Sequence, residues 1–379
     1  MILRRIVVLS LAVLIGGCTA APPAQDSPTA ATLVINASTK SEISALLQKR
    51  QAALARKDLQ GFQATIDMTR PALRRCQQES FDVAVRQGAG STGPSVSKVE
   101  VYAGTYVRAY VDDQGAGYMR MYLKNSGSGW VLTEPTESEL GGEKTKTVSG
   151  VDLSYWGIDD DIIDAFGRAG ADTRDFLLKL ATKPTARPFA LRLFPTREAA
   201  GLTASCVTAG SSMTAPSGDA FLRFYKYWVG ADFVGPSDYQ RAVLKHEGLH
   251  WLQEQTISGI LARLDWWLGE GWPDYIGESR GTNEKVSAIC RNQTPTFKQM
   301  VDGPYADPNL TPERLVQFYA DANTMIEYLY ATFRKDLYWD LMAAYKDSVD
   351  PQVNYPKILG VTPAQFYEGW LGFARKKYC

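Results

Sequence analysis

The sequence predicts an α+β protein in two parts. A small α+β domain, with helices on an antiparallel sheet, precedes a mostly helical domain that opens with a short β-sheet. Three observations predict this. Residues 40–56 put Ile43, Leu46, Leu47 and Leu54 on one side of a helical period. Between 99 and 133, apolar and aromatic runs are cut by turn-forming clusters at 112–117 and 125–129, the pattern of a strand meander. From Ser237 onward the spacing of apolar residues is mainly helical. With 379 residues, 45% of them hydrophobic, the chain has material for two cores.

The N-terminus reads as targeting sequence. Arg4 and Arg5 precede an apolar run at 6–17, about a dozen residues long and short for a bilayer span. It ends in Leu14-Ile15-Gly16-Gly17-Cys18. This resembles the bacterial lipobox. The resemblance implies a signal at 1–18, a lipidated Cys18 as mature N-terminus, and export to the extracytoplasmic face of a bacterial membrane. Residues 19–39, rich in Ala, Pro, Ser and Thr, cannot build a core and read as a flexible tether.

The first domain is placed at 40–145. After the helix at 40–56 comes a short helical stretch at 59–66, then a Gly/Ser-rich loop at 88–94. Strands are expected at 99–111, 118–123 and 130–133. This order is similar to the cone-shaped fold of ketosteroid-isomerase-like domains. Residues 134–148 are polar and aperiodic and read as a linker, so the second domain is placed at 150–379. Asp159, Asp160 and Asp161 precede Ile162 and Ile163 and read as an acidic helix N-terminus. Residues 189–194 alternate like a strand, and 221–234 hold one or two more.

Lysine and arginine balance aspartate and glutamate at 41 each, so the chain lacks the basic footprint of a nucleic-acid binder. Besides Cys18 there are Cys76, Cys206, Cys290 and Cys379, with no CxxC pair. In an exported chain these four suggest two disulfides, and spacing alone leaves all three pairings open.

Only two histidines occur, and both fall in His246-Glu247-Gly248-Leu249-His250. Four residues apart on a helix, their rings stack on one face and can share one metal ion. Glu247 projects beside them and can take a proton from a metal-activated water. Pro236-Ser237-Asp238 supplies the helix start. A zinc hydrolase needs a third protein ligand. Glu270 stands twenty residues after His250, within Trp267-Leu268-Gly269-Glu270-Gly271-Trp272-Pro273-Asp274-Tyr275. Here the sequence resembles the gluzincin metallopeptidases, and its Trp-Leu-x-Glu-Gly-x-x-x-Tyr context resembles their peptidase MA-like branch.

That resemblance spans roughly residues 185–379 and is specific around 246–278. It implies a gluzincin-type domain with Zn2+ on His246, His250 and Glu270, Glu247 as catalytic base, and Asp274 fixing the tautomer of His246. With no third histidine, Tyr319 is the candidate donor to the oxyanion. Pro273 departs from the family pattern, which usually has a helix former there; well inside a helix it would kink it and displace Glu270. The expectation is a membrane-tethered, extracytoplasmic zinc peptidase acting on a peptide or protein. The alternative is a non-catalytic lipoprotein that uses the fold as a binding or assembly module.

Overall fold

The structure, a computed structural model, describes residues 35–87, 94–102, 106–113, 115–181, 188–196, 199–200, 206, 210–214, 220–225, 227–277, 282–291, 293–307 and 310–379. Cys18, the signal, most of the tether and most of the loop at 88–94 lie outside the described residues. Among the described residues, no helix is long and apolar enough to cross a membrane.

The first helix, α1 (Ala37–Ala55), starts ahead of the expected boundary at 40 because Asn36 caps it: the Asn36 side chain accepts from the Thr39 backbone N–H at 3.0 Å. A short α2 (Leu59–Gln63) follows, then α3 (Pro71–Gln87), which the sequence reading passed over. Its buried Ala72, Leu73, Cys76 and Phe81 are diluted by Arg74, Arg75, Gln77, Gln78 and Glu79, so the apolar period is weak.

The single strand expected at 99–111 is instead a hairpin, β1 (Val96–Tyr102) paired antiparallel with β2 (Tyr106–Asp112). Next come β3 (Tyr118–Asn125) and β4 (Trp130–Thr133), both in antiparallel register. On β2 the odd positions Val107, Ala109 and Val111 face Ile43 and Leu47 of α1. The even positions Arg108 and Tyr110 face the rest of the molecule: Arg108 donates to the Ile158 carbonyl, and Tyr110 packs on Phe233. A strand buried on both faces reads as a continuous run, which hid the division between β1 and β2 from sequence inspection.

The stretch 134–148 is not simply a linker: it ends in β5 (Glu143–Val148), antiparallel to β6 (Val151–Trp156). Helix α4 (Ile163–Leu180) leads to β7 (Ala190–Leu193), β8 (Gly210–Thr214) and β9 (Ala220–Phe224). The second sheet runs β5-β6-β7-β9-β8, with parallel pairs at β6/β7 and β7/β9. Strand β10 (Trp228–Val229) then crosses back to the first sheet and pairs with Tyr118 and Met119 of β3.

Helix α4 does begin directly after the acidic run, but the Asp159 and Asp161 carboxylates are engaged by arginines. Asp159 is fully buried and ion-paired with Arg120 of β3, and Asp161 pairs with both Arg108 and Arg120. They neutralise two arginines that the first sheet points inward. Two disulfides resolve the open pairing, Cys76–Cys206 and Cys290–Cys379.

The remainder is helical: α5 (Asp238–Thr256), α6 (Trp266–Ile276), α7 (Thr282–Val286), α8 (Phe297–Asp302), α9 (Pro312–Thr332), α10 (Leu337–Ala344), α11 (Pro351–Leu359) and α12 (Pro363–Tyr378). The fold is thus mixed α+β with an antiparallel sheet early and a helical C-terminal part. The helices share one core with β6, β7 and β9, in which Trp251, Trp267, Trp272 and Trp370 are buried. Those indoles give α5, α6 and α12 anchors that hold the site.

Candidate metal centre

Helix α5 begins where the sequence indicates. The Ser237 side chain accepts from the Gln240 N–H at 3.1 Å, and its own hydroxyl donates to the Ala116 carbonyl at 2.6 Å. The cap therefore ties α5 to the turn before β3 and fixes the direction of the helix. Gly248 lets α5 lie close to α4: a Cβ there would stand 2.9 Å from Leu177 Cδ1 and 3.0 Å from Thr173 Cγ2, and these side chains would have to shift.

His246 and His250 lie on one face of α5, their ring centroids 5.0 Å apart. Glu270, from α6, reaches both. Its Oε2 is 3.3 Å from His246 Nε2 and 3.4 Å from His250 Nε2. The three ligand atoms lie within 4.8 Å of one another. Atoms bound to one ion at ~2.0–2.1 Å in tetrahedral geometry stand roughly 3.3–3.4 Å apart, so the two carboxylate–imidazole separations fit zinc. The donor set of two imidazoles and a carboxylate fits it as well.

Within the cluster the histidine and glutamate charges stabilise one another, so a metal ion would have to displace the His250 proton. Burial works against charge on His250, yet the Glu270 carboxylate outweighs it and lifts the imidazole to about 9. Burial likewise opposes charge on Glu270, but the two histidines hold its carboxyl well below the usual carboxylate range.

Behind His250 stands Gln253, which sequence reading missed although it lies one turn along the same helix. His250 Nδ1–H donates to Gln253 Oε1 at 2.8 Å, which leaves Nε2 to face the cluster. The Gln253 amide is itself held, donating to the Tyr338 hydroxyl at 2.7 Å and the Gly269 carbonyl at 3.1 Å.

The Gly269 carbonyl explains Pro273. Helix α6 spans Trp266–Ile276 with Pro273 well inside it. Proline has no N–H to give the carbonyl four residues earlier, which is that of Gly269. The Gln253 amide takes this orphaned acceptor. Helix α6 keeps Glu270 on the cluster because it is clamped along its length. Trp267 Nε1 donates to the Tyr355 hydroxyl at 3.0 Å, Tyr355 donates to Asp265 at 3.1 Å, and Trp272 Nε1 donates to Tyr330 at 2.9 Å.

Asp274 is buried one turn beyond Glu270 and accepts from Asn323 Nδ2 of α9 at 3.3 Å. Tyr319, near the start of α9, has its ring 6.3 Å from that of His246 and 5.0 Å from that of Trp266. Burial first, and then the Glu270 charge, push its phenol well above the ordinary value, so it keeps its proton. His246, Glu247, His250, Glu270 and Tyr319 all line one open cavity of about 420 Å3. Tyr305, which carries no motif signal, lines it too; it is 70% exposed and hydrogen-bonds Tyr319.

No protein-family model, curated protein or solved structure matches this chain. Any functional reading is carried by the residues themselves.

Proposed function

We propose that the protein is a zinc-dependent peptidase, exported and tethered through Cys18. The observation that carries this reading is the cluster of two imidazoles and one carboxylate with Glu247 beside it in an open cavity. His246, His250 and Glu270 would hold the ion. When bound, zinc supplies Lewis acidity, which makes water a better nucleophile near neutral pH and polarises a carbonyl.

The chain's own groups do the rest. Glu247 accepts the proton of the attacking water and passes it to the leaving amine, so one carboxylate is base and then acid. The protonated Tyr319 hydroxyl donates to the oxygen that gains charge as the tetrahedral centre forms. Gln253 keeps His250 in the tautomer that presents Nε2. Trp266 packs edge-on against Tyr319 and limits its rotation. Asp274 is assigned the orientation of His246. The two disulfides suit an oxidising compartment and so support export.

The test is Glu247→Gln. The amide keeps the shape of the side chain but cannot accept a proton. Zinc content measured by elemental analysis is expected to stay at wild-type level, while cleavage of a broad peptide library falls by at least about 10²–10⁴-fold. Equal cleavage by both proteins would exclude Glu247 as the base.

A further inference from the structure

A second cavity, of about 260 Å3, lies between α1, α3 and β3 on one side and the segments holding Thr196, Cys206 and Tyr225 on the other. None of its lining residues lines the metal cavity. Leu73, Met121 and Leu132 supply apolar wall, and the Cys76–Cys206 disulfide fixes α3 to the opposite side.

Arg50 is the unusual group in this wall. Its guanidinium carbon lies 3.6 Å from the Phe62 ring centroid, which takes it out of bulk water on one face. Its partners are neutral: Nη1 donates to Thr65 Oγ1 at 3.3 Å, and Nη2 donates to Gln77 Oε1. Among the described residues no carboxylate pairs with it. Three other inward arginines are matched by carboxylates, Arg108 by Glu100 and Asp161, Arg120 by Asp159 and Asp161, and Arg70 by Asp67 and Glu139. Arg120 also lines this cavity, but its charge is already met. Glu134 lines it as well. Burial without a counter-charge lowers the Arg50 pKa, yet the group stays charged at neutral pH. A guanidinium has five N–H donors, and Arg50 uses two.

The geometry points to a binding site for a small organic monoacid, its carboxylate on Arg50 and its apolar body against Leu73, Met121 and Leu132. A planar guanidinium matches a carboxylate in charge and shape. One positive charge unmatched among the described residues calls for one negative charge. The volume falls just below the ~300–1,000 Å3 of pockets for drug-sized ligands, so the body is a single ring or a short chain.

The probes are benzoate and hexanoate, compared with the neutral benzamide and hexanamide, titrated calorimetrically into the zinc-loaded mature protein. Carboxylates also ligate zinc, so the titrations are repeated on Glu270→Ala. Both acids are expected to bind at least about tenfold more tightly than their amides, about 1.4 kcal/mol, in wild type and in Glu270→Ala alike. Arg50→Gln should bring the acids down to the level of the amides. Leu73→Trp, which narrows the cavity and leaves the charge, should abolish binding of both classes and serves if Arg50→Gln does not fold. The proposal is overturned if acids and amides bind equally or neither binds. It is also overturned if either cavity variant binds acids like wild type, or if binding disappears in Glu270→Ala.

Discussion

Gln253 joins three features that looked unrelated in the sequence: the second histidine, the glycine before the glutamate ligand, and a proline inside a helix. Its carbonyl holds His250 Nδ1–H, and its amide group meets the Gly269 carbonyl that Pro273 leaves without a helical donor. Replacing it with leucine keeps bulk but removes both ends of this link. Gln253→Leu is expected to weaken zinc binding by about 10–100-fold, the usual cost of losing the group behind a metal-bound histidine. Competition with a chromophoric chelator would measure it, and an unchanged zinc affinity would mean that Gln253 only packs. The candidate ligands His246 and His250 were legible because HExxH is a local pattern on one helix face. Gln253 was also within reach, three residues after His250. Tyr305 was not, since it arrives from a short turn after α8 and no local rule places it near α5.

At the scale of elements, the site depends on how closely α6 approaches α9. Gly271 allows it: a Cβ there would stand 2.6 Å from the Ala322 backbone carbonyl oxygen, and a carbonyl on a packed helix cannot move aside cheaply. Gly269, two residues earlier, has nothing nearer than Leu264 Cβ at 3.9 Å. Gly271→Ala should therefore destabilise the protein by about 1–3 kcal/mol through overpacking. Gly269→Ala should be neutral or stabilising by up to about 1 kcal/mol through helix propensity. Thermal melts of the two variants check the contrast, and equal melting temperatures would contradict the packing account. Helices with a marked start, such as α5 with Ser237, were readable. Helix α3 was not, because its polar residues blur the apolar face. The β1–β2 hairpin was read as one strand because β2 is buried on both faces and shows no alternation.

For the whole molecule, the two sheets are joined by charge as well as by strand β10. Arg120 of β3 and Asp159, just after β6, are both buried and paired. The acidic run at 159–161 marked the start of α4 in the sequence, but its ion pairs were not legible, because Arg108 and Arg120 lie about 40–50 positions away and only the fold brings them near. Burial raises Asp159 from 3.8 to about 6, against the pull of Arg120. A carboxyl raised on folding binds its proton more tightly in the native state, so its contribution to stability falls as pH rises from 3.8 to about 6. Arg120→Met removes the opposing charge and deepens that fall. The variant should lose about 3–5 kcal/mol at pH 8, where Asp159 is ionised and unmatched, and clearly less at pH 5, where it is protonated. Urea unfolding at both pH values tests this, and a loss that does not change with pH would show that Asp159 is not the group left exposed to the cost.

The proposed function stands on His246, His250 and Glu270 binding one zinc ion. X-ray absorption at the zinc edge, on protein loaded with one equivalent, tests it most directly. The account predicts two imidazole nitrogens and a carboxylate oxygen at ~2.0–2.2 Å, with at least one imidazole lost from the spectrum in His250→Ala. A zinc environment containing sulfur, or one that His250→Ala leaves unchanged, would contradict it.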